Sequence, residues 1–96
     1  MNQMMLAMSS NGDGPTVAGV PFKIDRLSEV PTYRQLANEL RRLISTGRLK
    51  SGDRLPSIHE LMAETGLAQN TIRSAVAVLR EEGLVVTAPG RGVFVR

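Results

Sequence analysis

The sequence predicts a mainly α fold with a small antiparallel β-hairpin, a winged helix-turn-helix of three helices plus a wing. Three observations predict it. Three segments carry apolar residues at helical spacing, each closed by a glycine. A short Gly turn separates the second helix from the third. Two β-branched runs around a Gly-rich tip follow at the end of the chain.

The chain has 96 residues, enough for one small domain, and 42% of them are hydrophobic but only 3% aromatic, so the core must be aliphatic. With zero cysteines and one histidine, His59, it carries neither disulfides nor a thiolate or His-cluster metal site. No cofactor is expected. No apolar run is long enough to span a bilayer, and the start MNQMMLAMSS lacks the basic region of a secretory signal. A cytoplasmic protein without a membrane partner is the expectation.

Met1 to about Pro21 is rich in Ser, Asn, Gly, Pro and Met without a sustained period. Residues 1–21 read as a disordered tail and 22–96 as the folded domain. Phe22-Lys23-Ile24-Asp25 alternates apolar and polar, the pattern of a short strand. Helix one starts at Thr32, where Thr32 and Gln35 have the spacing of a capping box. Tyr33, Leu36, Ala37, Leu40, Leu43 and Ile44 share one face, and Gly47 closes the helix as a left-handed residue. Arg41 and Arg42 are expected to face solvent. Leu49 to Arg54 reads as a turn around Ser-Gly-Asp.

Helix two opens on a second capping box, Ser57 to Glu60, directly after Pro56. It buries Ile58, Leu61 and Met62 and stops at Gly66 after about nine residues. A helix that short depends on its neighbours. Helix three runs from about Gln69 to Glu82 with Ile72, Ala75, Val76 and Leu79 on its apolar face, ended by Gly83. Leu84–Thr87 and Val93–Val95 then form the hairpin, with Ala88 to Gly92 between them.

The apolar stripe of helix three leaves Gln69, Asn70, Arg73 and Ser74 on the opposite face. Asn and Gln can pair bidentately with adenine and Arg with guanine, so these types suit base edges in a major groove. Ser57 and nearby backbone N–H groups open helix two, where a phosphate would be favoured. Arg91, flanked by Gly90 and Gly92, can follow a phosphate or enter the minor groove. Charge points the same way: residues 31–96 hold ten Lys/Arg against six Asp/Glu, a net of +4, whereas residues 1–30 have a net of −1. No P-loop, metal-ligand spacing or nucleophile–base pair is present, and Glu81 and Glu82 are adjacent on a helix and point apart, so an enzyme is not expected.

Across residues 22–96 the chain resembles the GntR family of bacterial transcription regulators. The resemblance rests on PTYRQLANELRRLISTGRLKSGDRLPS, HELMAETGLAQNTIRSAVAVLREEGLV and GRGVFV, in order and at matching spacing. It implies sequence-specific binding to double-stranded operator DNA, commonly as a homodimer on an inverted repeat, with repression the family habit. Thr71 inherits a phosphate contact and Arg73 a base contact; Gly90 and Gly92 match the wing glycines, and Ser57 the start of helix two. Three positions depart. His59 stands where an Arg commonly reads guanine, Ala68-Gln69 where the family has Ser-Arg, and Met62 where a small Ala is usual at the helix crossing. An altered operator, weaker affinity or both follow from losing two arginines. The chain ends at Arg96, just past the wing, which reads as a stand-alone DNA-binding module without a small-molecule effector domain. The other function class is a winged-helix module that binds protein, which would show an apolar patch on helix three and the wing.

Overall fold

Helix α1 spans Thr32–Ser45 and buries Leu36, Ala37, Leu40 and Leu43, the stripe its spacing predicts, in the computed structural model, which describes residues 22–96. The tail expected over residues 1–21 lies outside the described residues. The start of α1 differs from the expectation. Pro31 is the N-cap and no side chain caps it; Thr32 is already helical. Gln35 is engaged elsewhere: its Oε1 accepts from the Asp25 N–H at 2.7 Å, and its Nε2 donates to the carbonyls of Asp25 at 2.9 Å and Val30 at 2.7 Å. The segment before α1 runs past this side chain with backbone groups to satisfy, and a Gln, being donor and acceptor at once, meets three of them.

That same arrangement replaces the short strand expected at Phe22–Asp25. The alternation is real, with Phe22 and Ile24 partly buried on the core and Lys23 and Asp25 exposed. Among the described residues the segment pairs with no strand, and the backbone of Asp25 turns to Gln35 instead.

Helix α2 spans Ile58–Thr65, eight residues, and both halves of its capping box are formed: the Glu60 N–H donates to Ser57 Oγ at 3.1 Å, and the Ser57 N–H donates to Glu60 Oε1 at 2.7 Å. Gly66 ends it in the left-handed region at φ +74, and Leu67, only 4% exposed, plugs the angle before α3. Helix α3 spans Gln69–Glu81 and buries Ile72, Ala75, Val76 and Leu79; Glu82 is its C-cap rather than its last turn.

Strands β1 (Val85–Ala88) and β2 (Gly92–Val95) pair antiparallel, with Val85 opposite Val95 and Ala88 opposite Gly92. Against the expected runs, β1 is shifted one residue toward the tip and β2 is one residue longer there, which leaves a Pro89-Gly90-Arg91 turn closed by the Arg91 N–H on the Ala88 carbonyl at 2.9 Å. The stretch read as a plain turn, Leu49 to Arg54, does more than reverse the chain. Arg54 forms a bridge to Phe94 on the free edge of β2, flanked by Leu55 N–H to Val93 O and Val95 N–H to Asp53 O, each 2.8 Å. The wing is thereby tied to the start of α2, and one edge of the hairpin is covered.

One aliphatic core unites the elements, drawing on all three helices, both strands and the linking residues Leu49, Leu55 and Leu67. No polar or charged residue is buried among the described residues. At the surface, Arg41 is not a free solvent-facing charge: its Nε and Nη2 donate to the two carboxylate oxygens of Glu82 at 2.9 and 2.8 Å, joining α1 to the end of α3. Arg42 is exposed and donates to Glu39 at 3.0 Å.

Candidate nucleic-acid interface

The start of α2, one face of α3 and strand β2 enclose a cavity of about 630 Å3. Five of the residues expected from sequence line it: Ser57, His59, Gln69, Arg73 and Gly92. They arrive from three elements. Ser57 is fixed by the α2 cap, His59 lies in the first turn of α2, and Gln69 and Arg73 lie one turn apart on α3, as four-residue spacing requires. His59, Gln69 and Arg73 are exposed, and Ser57 is half-buried with its hydroxyl already accepting the Glu60 N–H.

The other four expected residues lie outside the cavity lining. Asn70 is exposed and Thr71 half-buried on the first turn of α3, and Gly90 and Arg91 form the hairpin tip. The guanidinia of Arg73 and Arg91 have no hydrogen-bond or ion-pair partner among the described residues.

The two wing glycines have internal reasons for being glycine. Pro89-Gly90 at the centre of the turn, with Gly90 at φ +75, is the pattern of a type II turn. Gly92 sits at φ +129, and a Cβ there would meet Arg54 Cδ at 3.1 Å. A close approach at Gly92 is thus made by the aliphatic stem of Arg54, within the protein.

Sequence reading missed two lining residues, Arg54 and Arg80. For Arg80 a signal existed: it lies seven residues, two helical turns, beyond Arg73 on the same face of α3. Its Nε donates to Thr87 Oγ1 on β1 at 3.1 Å. For Arg54 there was none, because its place follows from a bridge to Phe94 forty residues later. The cavity therefore carries three arginines and one histidine with no carboxylate in its lining. Of the acids next to lining residues in sequence, Glu60 has its carboxylate turned back onto the Ser57 N–H and Asp53 accepts the Lys50 N–H. Such a concave, one-signed surface concentrates positive potential and suits a polyanion.

The helix-turn-helix itself is held by an unexpected contact. Arg26 Nη2 donates to the Gly66 carbonyl at 2.9 Å, placing a cation at the C-terminal end of α2, where the helix dipole favours one. Among the described residues no cluster of His, Cys, Asp or Glu is arranged to hold a metal ion, and no helix is long and apolar enough to cross a membrane.

The family model described as bacterial regulatory proteins, gntR family, matches residues 32–95. Among curated proteins, the HTH-type transcriptional repressor YtrA of Bacillus subtilis is 36% identical over 74 residues, which cover 77% of this chain and 57% of the relative. The mannosyl-D-glycerate transport/metabolism system repressor MngR of Escherichia coli is 38% identical over 66 residues, covering 69% of this chain and 28% of the relative. The chain thus spans just over half of one relative and little more than a quarter of the other. Among solved structures, YtrA from Sulfolobus acidocaldarius, a GntR-family transcription factor, aligns with a TM-score of 0.72 and 40% identity over 78% of this chain and 79% of that one. The AraR DNA-binding domain in complex with operator ORE1 aligns with a TM-score of 0.69 and 32% identity, over 78% of this chain and 94% of that one.

Proposed function

The chain belongs to the GntR family of bacterial regulatory proteins, and from that premise we propose that it is a sequence-specific DNA-binding transcription regulator acting as a repressor. The observation that carries the reading is the shared, carboxylate-free cavity in which α2, α3 and β2 present Ser57, His59, Gln69, Arg73 and Gly92 together. Helix α3 enters the major groove by its first turns, so that Gln69, Asn70 and Arg73 meet base edges and Thr71 a phosphate. The α2 start, with Ser57 and His59, lies over the backbone. The wing tip, Gly90 to Gly92, follows the strand beside the groove through Arg91.

The AraR DNA-binding domain, of similar fold and 32% identity, is bound to operator DNA, and the two curated relatives named above are called repressors. The exposed side of α3 is polar and basic, which favours a nucleic acid over the apolar patch a protein-binding adaptor needs. Repression is steric: a bound regulator blocks polymerase access. Two copies on an inverted repeat would give the two-fold geometry usual for such readers.

Selection from a random duplex library with the purified chain tests this. One enriched motif is expected, with A·T and G·C preferences at the positions under Gln69, Asn70 and Arg73; a two-fold repeat in the motif indicates paired copies. A pool that stays random after repeated rounds rejects the reading.

A further inference from the structure

Arg80 is a base in an unusual place for a DNA reader. It lies in the last turns of α3, far from the end that enters a groove, yet it lines the same cavity as Arg73. At 1.5 Å per residue it stands about 10 Å along the helix from Arg73. With Arg73 at base edges, a cation about 10 Å further along α3 is beyond the reach of the same bases and toward the backbone that borders them. Arg54 faces the cavity from the other side, its stem packed over Gly92 and its backbone bridged to Phe94. Neither guanidinium is in an ion pair among the described residues. Among the described residues Arg80 uses only its Nε, on the neutral Thr87 hydroxyl, its Nη groups have no protein partner, and Arg54 makes no side-chain hydrogen bond. Charged groups held in a concave site without counter-charge are expected where an anion is to be received.

We infer that Arg54 and Arg80 form a phosphate clamp, gripping the DNA backbone between α3 and the wing without reading sequence. The inference rests on the DNA-binding reading above and adds a division of labour to it. Base reading on α3 is concentrated at Arg73, and affinity is supplied by two arginines that touch no base. This suits a chain in which His59 and Gln69 offer weaker anchoring than fixed cations would. A phosphodiester is the ligand chemistry; Thr87 holds Arg80 upright from the wing, so wing and recognition helix close on one backbone segment together.

The test is the salt dependence of binding by the full 96-residue chain, measured by fluorescence anisotropy on the selected duplex and on a random-sequence duplex. Each phosphate contact contributes about 0.9 to the slope of log affinity against log salt. Arg54→Gln and Arg80→Gln should each lower that slope by about this amount on both duplexes. Across a fourfold rise in salt, each variant should then lose about 3.5-fold less affinity than the parent chain. Base preference in selection should not change. Arg80→Lys should restore the slope, since a cation remains. Thr87→Val, which frees Arg80 from the wing but keeps its charge, should weaken binding to both duplexes less than Arg80→Gln does. Arg48→Gln, an exposed arginine outside the cavity, should leave the slope unchanged.

If Arg80→Lys behaves like Arg80→Gln, the residue is structural and the clamp is overturned. If the Gln variants keep the parent slope while the parent binds DNA, the clamp is again overturned and the DNA-binding reading stands. If the parent chain binds neither duplex, both fail. If the Gln variants instead lose binding of inorganic phosphate and keep the parent slope on DNA, the cavity is a free-anion site and not a backbone clamp.

Discussion

Among the described residues Arg73 and Arg91 are both unpartnered arginines, but the fold gives them different neighbours. Arg73 is flanked on α3 by Gln69 and lies in a concave cavity, whereas Arg91 sits at the tip of a two-stranded hairpin. A guanidinium in a groove can pair bidentately with guanine; one at an exposed hairpin tip has mainly charge to offer. Arg73→Ala should therefore cost about 1–3 kcal/mol on the selected site and relax preference at one position. Arg91→Ala should weaken selected and random duplexes about equally. Both are exposed and unpartnered among the described residues, so thermal melts should match the parent chain and isolate the DNA effect. The two glycines make a second contrast. Alanine at Gly90 meets nothing within 4 Å and is strained only by φ +75, while alanine at Gly92 is strained by φ +129 and meets Arg54 at 3.1 Å. Gly92→Ala should destabilise by on the order of 1–3 kcal/mol in urea unfolding, and more than Gly90→Ala. Equal costs would mean that Arg54 simply moves aside. At this scale the sequence disclosed the residue types that face outward on α3, because the apolar stripe of one helix is local information. It could not disclose Arg54, whose position depends on Phe94, nor the true reason for Gly92.

The elements were legible where their signals are short-range. The α2 capping box spans four residues and is found as read, and the glycine ends of all three helices follow from positive φ at Gly47, Gly66 and Gly83. What failed was long-range. Gln35 has the sequence spacing of a cap but serves Asp25 and Val30, and Arg41 looks free until α3 brings Glu82, forty-one residues later, to its side. That α1–α3 bridge gives the element scale its prediction. The hydrogen bond from Arg41 holds the Glu82 carboxyl below the usual carboxylate range; slight desolvation opposes this, and the charges of Arg41 and Arg34 reinforce it. A depressed carboxyl stabilises the folded chain above its unfolded pKa and loses that contribution as pH falls through the folded one. The contribution should thus be complete above about pH 5 and fade below about pH 4. Urea midpoints of the parent and Glu82→Gln chains should differ at pH 7, and the difference should shrink as pH falls below about 4. Because the pair is exposed, high salt should shrink the pH 7 difference too. A difference that persists undiminished at pH 3 would assign it to packing rather than charge.

The molecule as a whole is a small aliphatic core with a binding surface laid across three of its elements. Winged architecture was legible from the order of periodic segments, since three amphipathic helices and one hairpin have few ways to bury their apolar faces together. The bridge that closes the wing onto the start of α2 was not, since a single residue pair leaves no periodic trace. This design ties function to global stability. His59, Arg73, Arg54 and Gly92 meet only because α2, α3 and β2 share one core, so there is no separately folding site. Leu79 tests the point. It is fully buried on α3 and does not line the cavity. Leu79→Ala should cost about 2–5 kcal/mol through lost burial and the cavity left behind. Small domains hold only about 5–15 kcal/mol in total, and in one of this size each kcal/mol lowers the melting temperature by roughly 4–8 °C. The midpoint by circular dichroism should therefore fall by more than about 8 °C. Binding at low temperature should retain the parent base preference, because the surface reforms whenever the chain folds. Excess selected duplex should raise the variant's midpoint, as a ligand specific to the folded state must. A variant that melts with the parent but loses base preference would show instead that the recognition helix is positioned by something other than this core.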